Sequence, residues 1–208
     1  MARNTGSVCR LCRREGTKLF LKGEKCFSSK CIVTKRPTPP GQHGQARQRK
    51  MSEYGSQLRE KQKARRAYGL METQFHLTFQ KALQMKGVSG ENLLQLLERR
   101  LDNVIYRAGL AASRPQARQL INHGHYLVNG RKVDIPSYTV KQGDAITVRA
   151  GSKEMDLFKL AREGSARILP KWLVCNFDEL KATVESLPGR GDVDFGLQEN
   201  MIIEYYSR

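Results

Sequence analysis

Apolar side chains recur at helical spacing through the middle of the chain and predict a series of helices there. Phe75 and Phe79 begin an apolar face over residues 71–86. A broader, leucine-rich apolar face predicts another helix over residues 91–108. The preceding stretch, residues 52–68, consists of helix-favouring residues and carries a dense group of lysines and arginines. Three consecutive helices are therefore expected between residues 52 and 108.

A short fourth helix and a hairpin are predicted next. Ser113, followed three residues later by Gln116, matches a capping box and begins the helix. The polar residues of this helix lie opposite its apolar residues, so we expect an exposed stripe formed by Arg114, Arg118, Gln119 and Asn122. The pair Asn129-Gly130 between two β-prone runs is a strong signal for an antiparallel hairpin over residues 126–133. A further strand is expected at residues 145–148.

The two ends of the chain carry weaker patterns. Residues 1–50 lack apolar periodicity, and Pro37, Pro39 and Pro40, followed by Gly41, exclude a regular helix at that point in the chain. Such a segment buries too little apolar surface to fold alone and needs RNA, a metal or both. Towards the C-terminus, residues 154–163 are compatible with a helix and residues 171–175 with a strand or buried run. The pattern over residues 198–208 leaves helix and strand both open.

The balance of charge indicates a polyanionic partner. The chain has 208 residues, with 37 Lys+Arg against 20 Asp+Glu and a formal net charge of +17. Residues 1–66 hold 18 of the basic and only 4 of the acidic side chains. This excess argues against an acidic solvating protein and against a neutral metabolic enzyme. It favours nucleic acid as the partner, with an anionic membrane surface as the weaker alternative. No run of 18 apolar residues and no apolar signal segment is found, so we expect no membrane association.

Four of the five cysteines are spaced as metal ligands. Cys9 and Cys12 form a Cys-x2-Cys pair, and Cys26 and Cys31 form a second close pair further on. Two such pairs suit the tetrahedral geometry of one structural Zn²⁺ ion, and four thiolate ligands leave no open position for catalysis. Free thiols, a redox pair and an iron–sulfur cluster are the alternatives. His43 is then better interpreted as a loop or RNA-contacting residue than as a fifth ligand.

Side chains suited to phosphate or RNA contact concentrate in the N-terminal third and in the helix-plus-hairpin unit. A solvated surface is the alternative interpretation of such charge, but the excess in residues 1–66 makes phosphate contact the more economical one. The unit lacks an aromatic platform, so shape and phosphate recognition of folded RNA is expected rather than stacking on single-stranded bases. The candidate RNA-binding residues are Arg3, Arg10, Arg13, Arg14, Lys22, Lys30, Lys35, Arg36, His43, Arg47, Arg49, Lys50, Arg59, Lys61, Lys63, Arg65, Arg66, Ser113, Arg114, Arg118, Gln119, Asn122, His123, His125, Arg131 and Lys132.

The same residues resemble a known family. Three segments resemble the RNA-binding module named after the fourth protein of the small ribosomal subunit. They are residues 97–107 (LERRLDNVIYR), 113–125 (SRPQARQLINHGH) and 128–133 (VNGRKV). The rest of the chain is similar to the bacterial ribosomal family itself through residues 36–45 (RPTPPGQHGQ), 58–63 (LREKQK) and 203–208 (IEYYSR). The resemblance covers essentially the whole chain, and the four cysteines match the zinc-containing form of the family.

The resemblance implies an architecture. An α+β fold is expected, with a zinc-bound basic module at residues 1–45 and a mostly helical domain at residues 46–94. The inserted helix-plus-hairpin RNA-binding module would occupy residues 95–158. A C-terminal segment from about residue 160 to 208 would complete the helical domain, and the resemblance assigns its end as helix.

The resemblance also implies a role. Family members bind the 5′ domain of 16S rRNA, nucleate assembly of the 30S body and influence translational accuracy. They contact the neighbouring small-subunit proteins five and three and help line the channel through which mRNA enters. By position, Arg47, Arg49 and Lys50 would face mRNA. The protein would then be a cytoplasmic component of the small (30S) ribosomal subunit, monomeric within the ribosome, with one Zn²⁺ as cofactor.

Two other function classes compete with this one. The first is an RNA-modifying enzyme that carries the same module, such as a pseudouridine synthase. Too few residues follow the module for a catalytic domain, and no acid, base or nucleophile arrangement is found in the sequence, so we expect no enzyme activity. The second is a zinc-containing DNA-binding regulator, but the cysteine segment lacks a recognition helix and no dimerisation seam is evident.

Overall fold

The computed structural model describes residues 4–46, 50–162, 169–193 and 196–207. The chain divides into two compact units, Met1–Leu93 with Phe195–Arg208 and Leu94–Asp194. The helices are α1 (Val8–Glu15), α2 (Ile32–Lys35), α3 (Glu53–Ala67), α4 (Glu72–Gln84), α5 (Ser89–Glu98), α6 (Leu101–Arg107), α7 (Arg114–Asn122), α8 (Asp156–Arg162) and α9 (Glu199–Tyr206). The strands are β1 (Tyr126–Val128), β2 (Arg131–Lys132), β3 (Ala145–Val148), β4 (Leu173–Asn176) and β5 (Lys181–Val184).

The N-terminal part of the first unit contains a helix that the sequence pattern did not predict. Helix α1 is rich in arginine, and it ends at Gly16 with a left-handed φ of 68°. Cys12 is buried, as are Leu19 and Leu21 on the chain that follows. The guanidinium of Arg13 donates to the carbonyl oxygens of Thr38 at 2.8 Å and Pro39 at 3.2 Å. This side chain thereby fastens the proline-rich loop to α1.

The C-terminal helix α9 packs against α3 in the same unit. Gln57 donates to the Glu204 carboxylate at 2.9 Å. The ring of Tyr206 lies 4.6 Å from the ring of Phe79, centroid to centroid. These contacts confirm the helix that the family resemblance assigned to the C-terminal residues, where the sequence pattern alone was ambiguous.

The second unit is built on a five-stranded antiparallel sheet with the order β2-β1-β3-β5-β4. Asn129 (φ 49°) and Gly130 (φ 78°) form the predicted tight turn between β1 and β2. Phe158 and Trp172 are buried in the same core as the apolar residues of α6, α7 and β1. Strands β4 and β5 therefore belong to this unit, which extends well beyond the expected boundary at residue 158. The sequence pattern allowed a strand at residues 171–175, which overlaps β4, but it predicted neither β5 nor the pairing of β5 with β3. That pairing joins segments that are far apart in the sequence.

The prediction of one helix over residues 91–108 is wrong, because the structure has two helices there, α5 and α6. Arg100 adopts an extended conformation between α5 and α6 (φ −67°, ψ 136°) and forms a β-bridge with Thr139. The backbone N–H of Leu101 donates to the carbonyl of Tyr138 at 2.9 Å. Apolar periodicity continues across this break because both helices bury residues in the core. The expected mixture of helices and an antiparallel sheet is confirmed.

Candidate nucleic-acid interface

Basic side chains of the N-terminal part of the first unit are mostly exposed. Three candidates from this region, Arg3, Arg47 and Arg49, lie outside the described residues. Arg13 is half-buried against the proline loop, so its guanidinium is engaged by the protein itself. The exposed candidates are Arg10, Arg14, Lys22, Lys30, Lys35, Arg36, His43 and Lys50. They give this part of the chain a cationic surface available to phosphates.

The cations of α3 are largely engaged within the protein. Arg59 and Arg66 both pair with the carboxylate of Glu15, whose side chain is only 1% exposed. Burial raises the pKa of Glu15, and the guanidinium groups of Arg59, Arg66 and Arg14 counter that rise. These pairs join α1 to α3. Arg59 and Arg66 therefore have a structural role in joining these two helices.

Lys61 is an exception to the predicted cationic surface, because it is buried. Its ammonium lies 2.6 Å from Oε1 of Glu72 and 4.7 Å from the ring centroid of Tyr205. The hydroxyl of Tyr206 donates to the same carboxylate oxygen at 2.8 Å. Half-buried Lys63 likewise pairs with Glu60 and half-buried Arg65 with Glu72. Lys61 joins α3 to α4 and α9 and is withdrawn from the surface.

The predicted exposed stripe on α7 is wrong for two of its four residues. Arg114 is 3% exposed and Arg118 is 6% exposed. The Nε of Arg114 donates to Oδ1 of Asn103 at 2.8 Å, and its guanidinium lies 4.4 Å from the centroid of the Tyr106 ring. Arg118 lies 3.4 Å from the carboxylate of Asp102. The polar side of α7 packs against the α5–α6 junction, which a single-helix pattern does not reveal.

That junction is itself a buried polar network. Glu98 is fully buried and accepts hydrogen bonds from Asn103 Nδ2 at 2.7 Å and from the Arg107 guanidinium at 3.0 and 3.1 Å. Arg100 and Asp102 form a two-pronged pair at 2.8 and 3.1 Å. The network fixes the turn at Arg100 and holds α7 in place. Sequence analysis missed this network because the sequence does not show which side chains the charged residues of an apolar helix contact.

The candidate residues near the end of α7 divide between buried and exposed positions. Ser113 accepts from the backbone N–H of Gln116 as the predicted cap, and it is buried. His125 is half-buried, with Nδ1 2.9 Å from the Ser152 hydroxyl. Arg149, which sequence analysis missed, is exposed just after β3. The exposed candidates of this region are Gln119, Asn122, His123, Arg131 and Lys132.

Known proteins match the chain from end to end. The family described as "Ribosomal protein S4/S9 N-terminal domain" matches residues 3–98, and the S4 domain matches residues 99–146. The small ribosomal subunit protein uS4 of Pelotomaculum thermopropionicum is 59% identical over 209 residues, covering 100% of both chains. Proteins of the same name from Acetivibrio thermocellus and Clostridioides difficile are 56% identical, again over 100% of both chains.

The chain belongs to the ribosomal protein S4 family. This membership confirms the expectation of a structural protein of the small ribosomal subunit. It also decides against an RNA-modifying enzyme, because S4-family relatives that match over their full length are ribosomal structural proteins. Across the described residues, the structure contains no helix that is long and apolar enough to cross a membrane.

None of the four N-terminal cysteines of this S4-family chain forms a disulfide bond, and the other three act electrostatically on Cys12. Burial raises the pKa of Cys12, a backbone hydrogen bond at Leu19 lowers it, and Cys26, Cys9 and Cys31 raise it further. The backbone N–H of Lys22 donates to the sulfur of Cys26 at 3.3 Å. Among the residues described, no three His, Cys, Asp or Glu side chains converge at metal-binding distance. The thiol donor set and the backbone N–H contacts to sulfur nevertheless suit a thiolate-bound metal.

Proposed function

We propose that this S4-family chain binds the 5′ domain of 16S rRNA directly and nucleates assembly of the 30S body. In the assembled subunit it contributes to translational accuracy, contacts proteins five and three, and lines the channel through which mRNA enters. The observation that carries the proposal is the set of exposed cations on both units of a chain with a net charge of +17. Phosphate groups of folded RNA are the partner that such surfaces suit.

The buried side chains sharpen the assignment of RNA contacts. Arg114, Arg118 and Lys61 are held by Asn103, Asp102 and Glu72, so their contribution to binding is to keep α7 and α3 in position. Direct contact is assigned to the exposed residues, above all Arg131 and Lys132 at the hairpin tip and the cations of residues 10–36. Such contacts are electrostatic, and binding should weaken steeply as the salt concentration rises.

The test is binding of the purified protein to a fragment of the 16S rRNA 5′ domain at moderate salt, followed by footprinting of the protected nucleotides. We expect affinity well above that for an unrelated duplex of the same length. A double Arg131→Ala and Lys132→Ala variant should bind several-fold more weakly, with a shallower salt dependence. Lys171→Ala, which removes an exposed lysine outside the candidate set, is the matched control. Equal affinity for the rRNA fragment and the unrelated duplex would refute the proposal.

The roles in assembly and accuracy require the subunit. We expect small subunits reconstituted without this protein to stall before the body forms, and full assembly in its absence would contradict the nucleating role. Subunits reconstituted with Lys50→Ala test the mRNA-facing surface through misreading in a defined translation assay. An error rate equal to that of wild type would remove Lys50 from the accuracy function.

We also propose that Cys9, Cys12, Cys26 and Cys31 hold one structural Zn²⁺ ion. Three of these thiols are buried, and the backbone N–H contact to Cys26 would stabilise a thiolate. The metal would tie α1 to the residues preceding α2 and organise a segment that has few apolar residues of its own. Nearby arginines and lysines would offset the negative charge of a four-thiolate site.

Native mass spectrometry of the purified protein tests the metal site. We expect one zinc ion in the wild-type chain and none after Cys9→Ser and Cys12→Ser substitution. Cys175→Ser is the matched control, since this half-buried thiol lies in β4 of the other unit. Visible absorption from iron and sulfide would identify an iron–sulfur cluster instead, and a metal-free chain with native RNA affinity would exclude a required metal.

A further inference from the structure

Four basic side chains converge at the C-terminal end of α7. The rings of His123 and His125 have centroids 6.0 Å apart. The side chain of Lys132 crosses the intervening Gly124, because a Cβ on that glycine would lie 2.3 Å from Lys132 Cε and 3.0 Å from Nζ. Arg149 acts electrostatically on His125 and is joined to it through the backbone, since its N–H donates to the carbonyl of His125 at 2.9 Å.

A hydroxyl and an aromatic ring contact the His125 imidazole, and the charged groups that act on it are basic. Its Nδ1 lies 2.9 Å from the hydroxyl of buried Ser152, and the ring of Phe158 from α8 packs at 6.2 Å, centroid to centroid. The charged or titratable neighbours that act on it, His123 and Arg149, are both basic. A protonated imidazole has two N–H donors, so it can donate Nδ1–H to the Ser152 oxygen and still offer Nε2–H to an anion.

The free protein disfavours that charged form. Burial lowers the pKa of His125, and the neighbouring His123 and Arg149 lower it further. At neutral pH, therefore, the ring is mainly unprotonated. A phosphate placed among these side chains would reverse the balance, because its negative charge stabilises the imidazolium and offsets the repulsion from Arg149.

We propose that His125, together with His123, Lys132 and Arg149, forms a phosphate-binding site in which contact with the RNA backbone is coupled to uptake of a proton by the His125 imidazole. The inference rests on the proposed rRNA binding and adds a pH dependence to it. Above the pKa of the complex the histidine binds as a neutral donor, and below the lowered pKa of the free protein it is already charged. RNA affinity therefore rises as pH falls between these two limits and levels off on either side.

The experiment measures the affinity of the full-length protein for the 5′-domain RNA fragment from pH 5.5 to 8.5 at constant ionic strength. For uptake of up to one proton, we expect wild-type affinity to be about threefold to tenfold greater at pH 6 than at pH 8. His125→Gln keeps a neutral amide donor but cannot take up a proton, so its affinity should change much less between pH 8 and pH 6 than that of wild type. His76→Gln is the control, because this exposed histidine lies on α4 of the other unit.

Calorimetry in buffers of different ionisation enthalpy counts the protons taken up. We expect a fractional uptake near neutral pH for wild type and His76→Gln, and close to zero for His125→Gln. Tryptophan fluorescence and thermal unfolding verify that the variant is folded. RNA binding by His125→Gln with the wild-type pH profile would overturn this inference and leave the proposed function standing. Absence of specific RNA binding at every pH would overturn both.

Discussion

Replacing Glu98 by glutamine tests whether the buried network at the α5–α6 junction stabilises the second unit. Glu98 is fully buried, and its carboxylate accepts hydrogen bonds from Asn103 and from the guanidinium of Arg107. Glutamine preserves the shape of the side chain and removes its negative charge. Arg107, itself 7% exposed, then carries a positive charge in the interior without this carboxylate to balance it.

The expected loss of stability is large. Removing one partner of a buried, hydrogen-bonded ion pair costs about 3–5 kcal/mol, because the remaining charge stays out of water. Glutamine retains one oxygen acceptor for the network, so we expect the lower part of this range, about 3 kcal/mol. With a urea dependence of about 1–3 kcal/mol per molar, the unfolding midpoint should fall by roughly 1–3 M.

Trp172 provides an assay specific to the second unit. It is the single tryptophan of the chain and is 1% exposed in the core that also contains α6 and α7 residues. Urea unfolding followed by its fluorescence reports on this unit directly. Glu154→Gln is the matched control, since Glu154 lies in the same unit but its side chain is 78% exposed, 3.9 Å from Lys159.

The two variants should therefore diverge. Loss of an exposed pair changes stability by well under about 1 kcal/mol, so Glu154→Gln should unfold with wild-type behaviour. A Glu98→Gln variant within about 1 kcal/mol of wild type would refute the reasoning, since it would mean that water or rearrangement compensates the Arg107 charge.

Three further variants separate structural from surface roles. Arg118→Ala should lower the stability of the second unit by about 2–3 kcal/mol in the same urea assay, whereas Arg131→Ala should leave stability within about 0.5 kcal/mol and weaken rRNA binding several-fold. The opposite ranking would return Arg118 to the RNA surface. Gly124→Ala should cost about 1–2 kcal/mol because of the left-handed φ of 75°, and an unchanged unfolding midpoint would contradict that strain. Burial raises the pKa of Glu72, but hydrogen bonds from Lys61 and Tyr206 lower it below its ordinary value overall. The ionised carboxylate therefore stabilises the fold above the ordinary pKa of a glutamate, and this stabilisation is lost as pH falls through the lowered pKa of the folded state. The thermal unfolding midpoint of Glu72→Gln, followed by the helical signal, should therefore be slightly lower than that of wild type at pH 7 and equal to it in acid. A difference between the two midpoints that stays the same at every pH would argue against this linkage.

Local signals in the sequence predicted much of the second unit. The Asn129-Gly130 turn, the cap at Ser113 and the strand at residues 145–148 are all present in the structure. Each depends only on a few neighbouring residues, through a backbone conformation with positive φ or a side chain that reaches a nearby backbone N–H. Such features can be predicted from a short window of sequence. Family membership follows from the same stretches.

The surface of α7 could not be predicted in this way. A helical wheel places Arg114 and Arg118 opposite the apolar residues, which is correct geometry, but it does not show that α6 covers that side. Asn103 and Asp102 supply the partners that make burial of two guanidinium groups favourable. Lys61 was misplaced for the same reason, because Glu72 and the rings of α9 lie far from it in the sequence or on another helix.

The sequence by itself determined the family, the net charge, the local turns and caps, and the spacing of the four cysteines. Only the tertiary structure decided which cations face solvent, where the helix over residues 91–108 breaks, and that β4 and β5 complete the sheet of the second unit. The physical reason is that a turn or cap is stabilised by its own neighbours. The burial of a charge depends instead on a hydrogen-bonding partner that the fold brings from elsewhere in the chain.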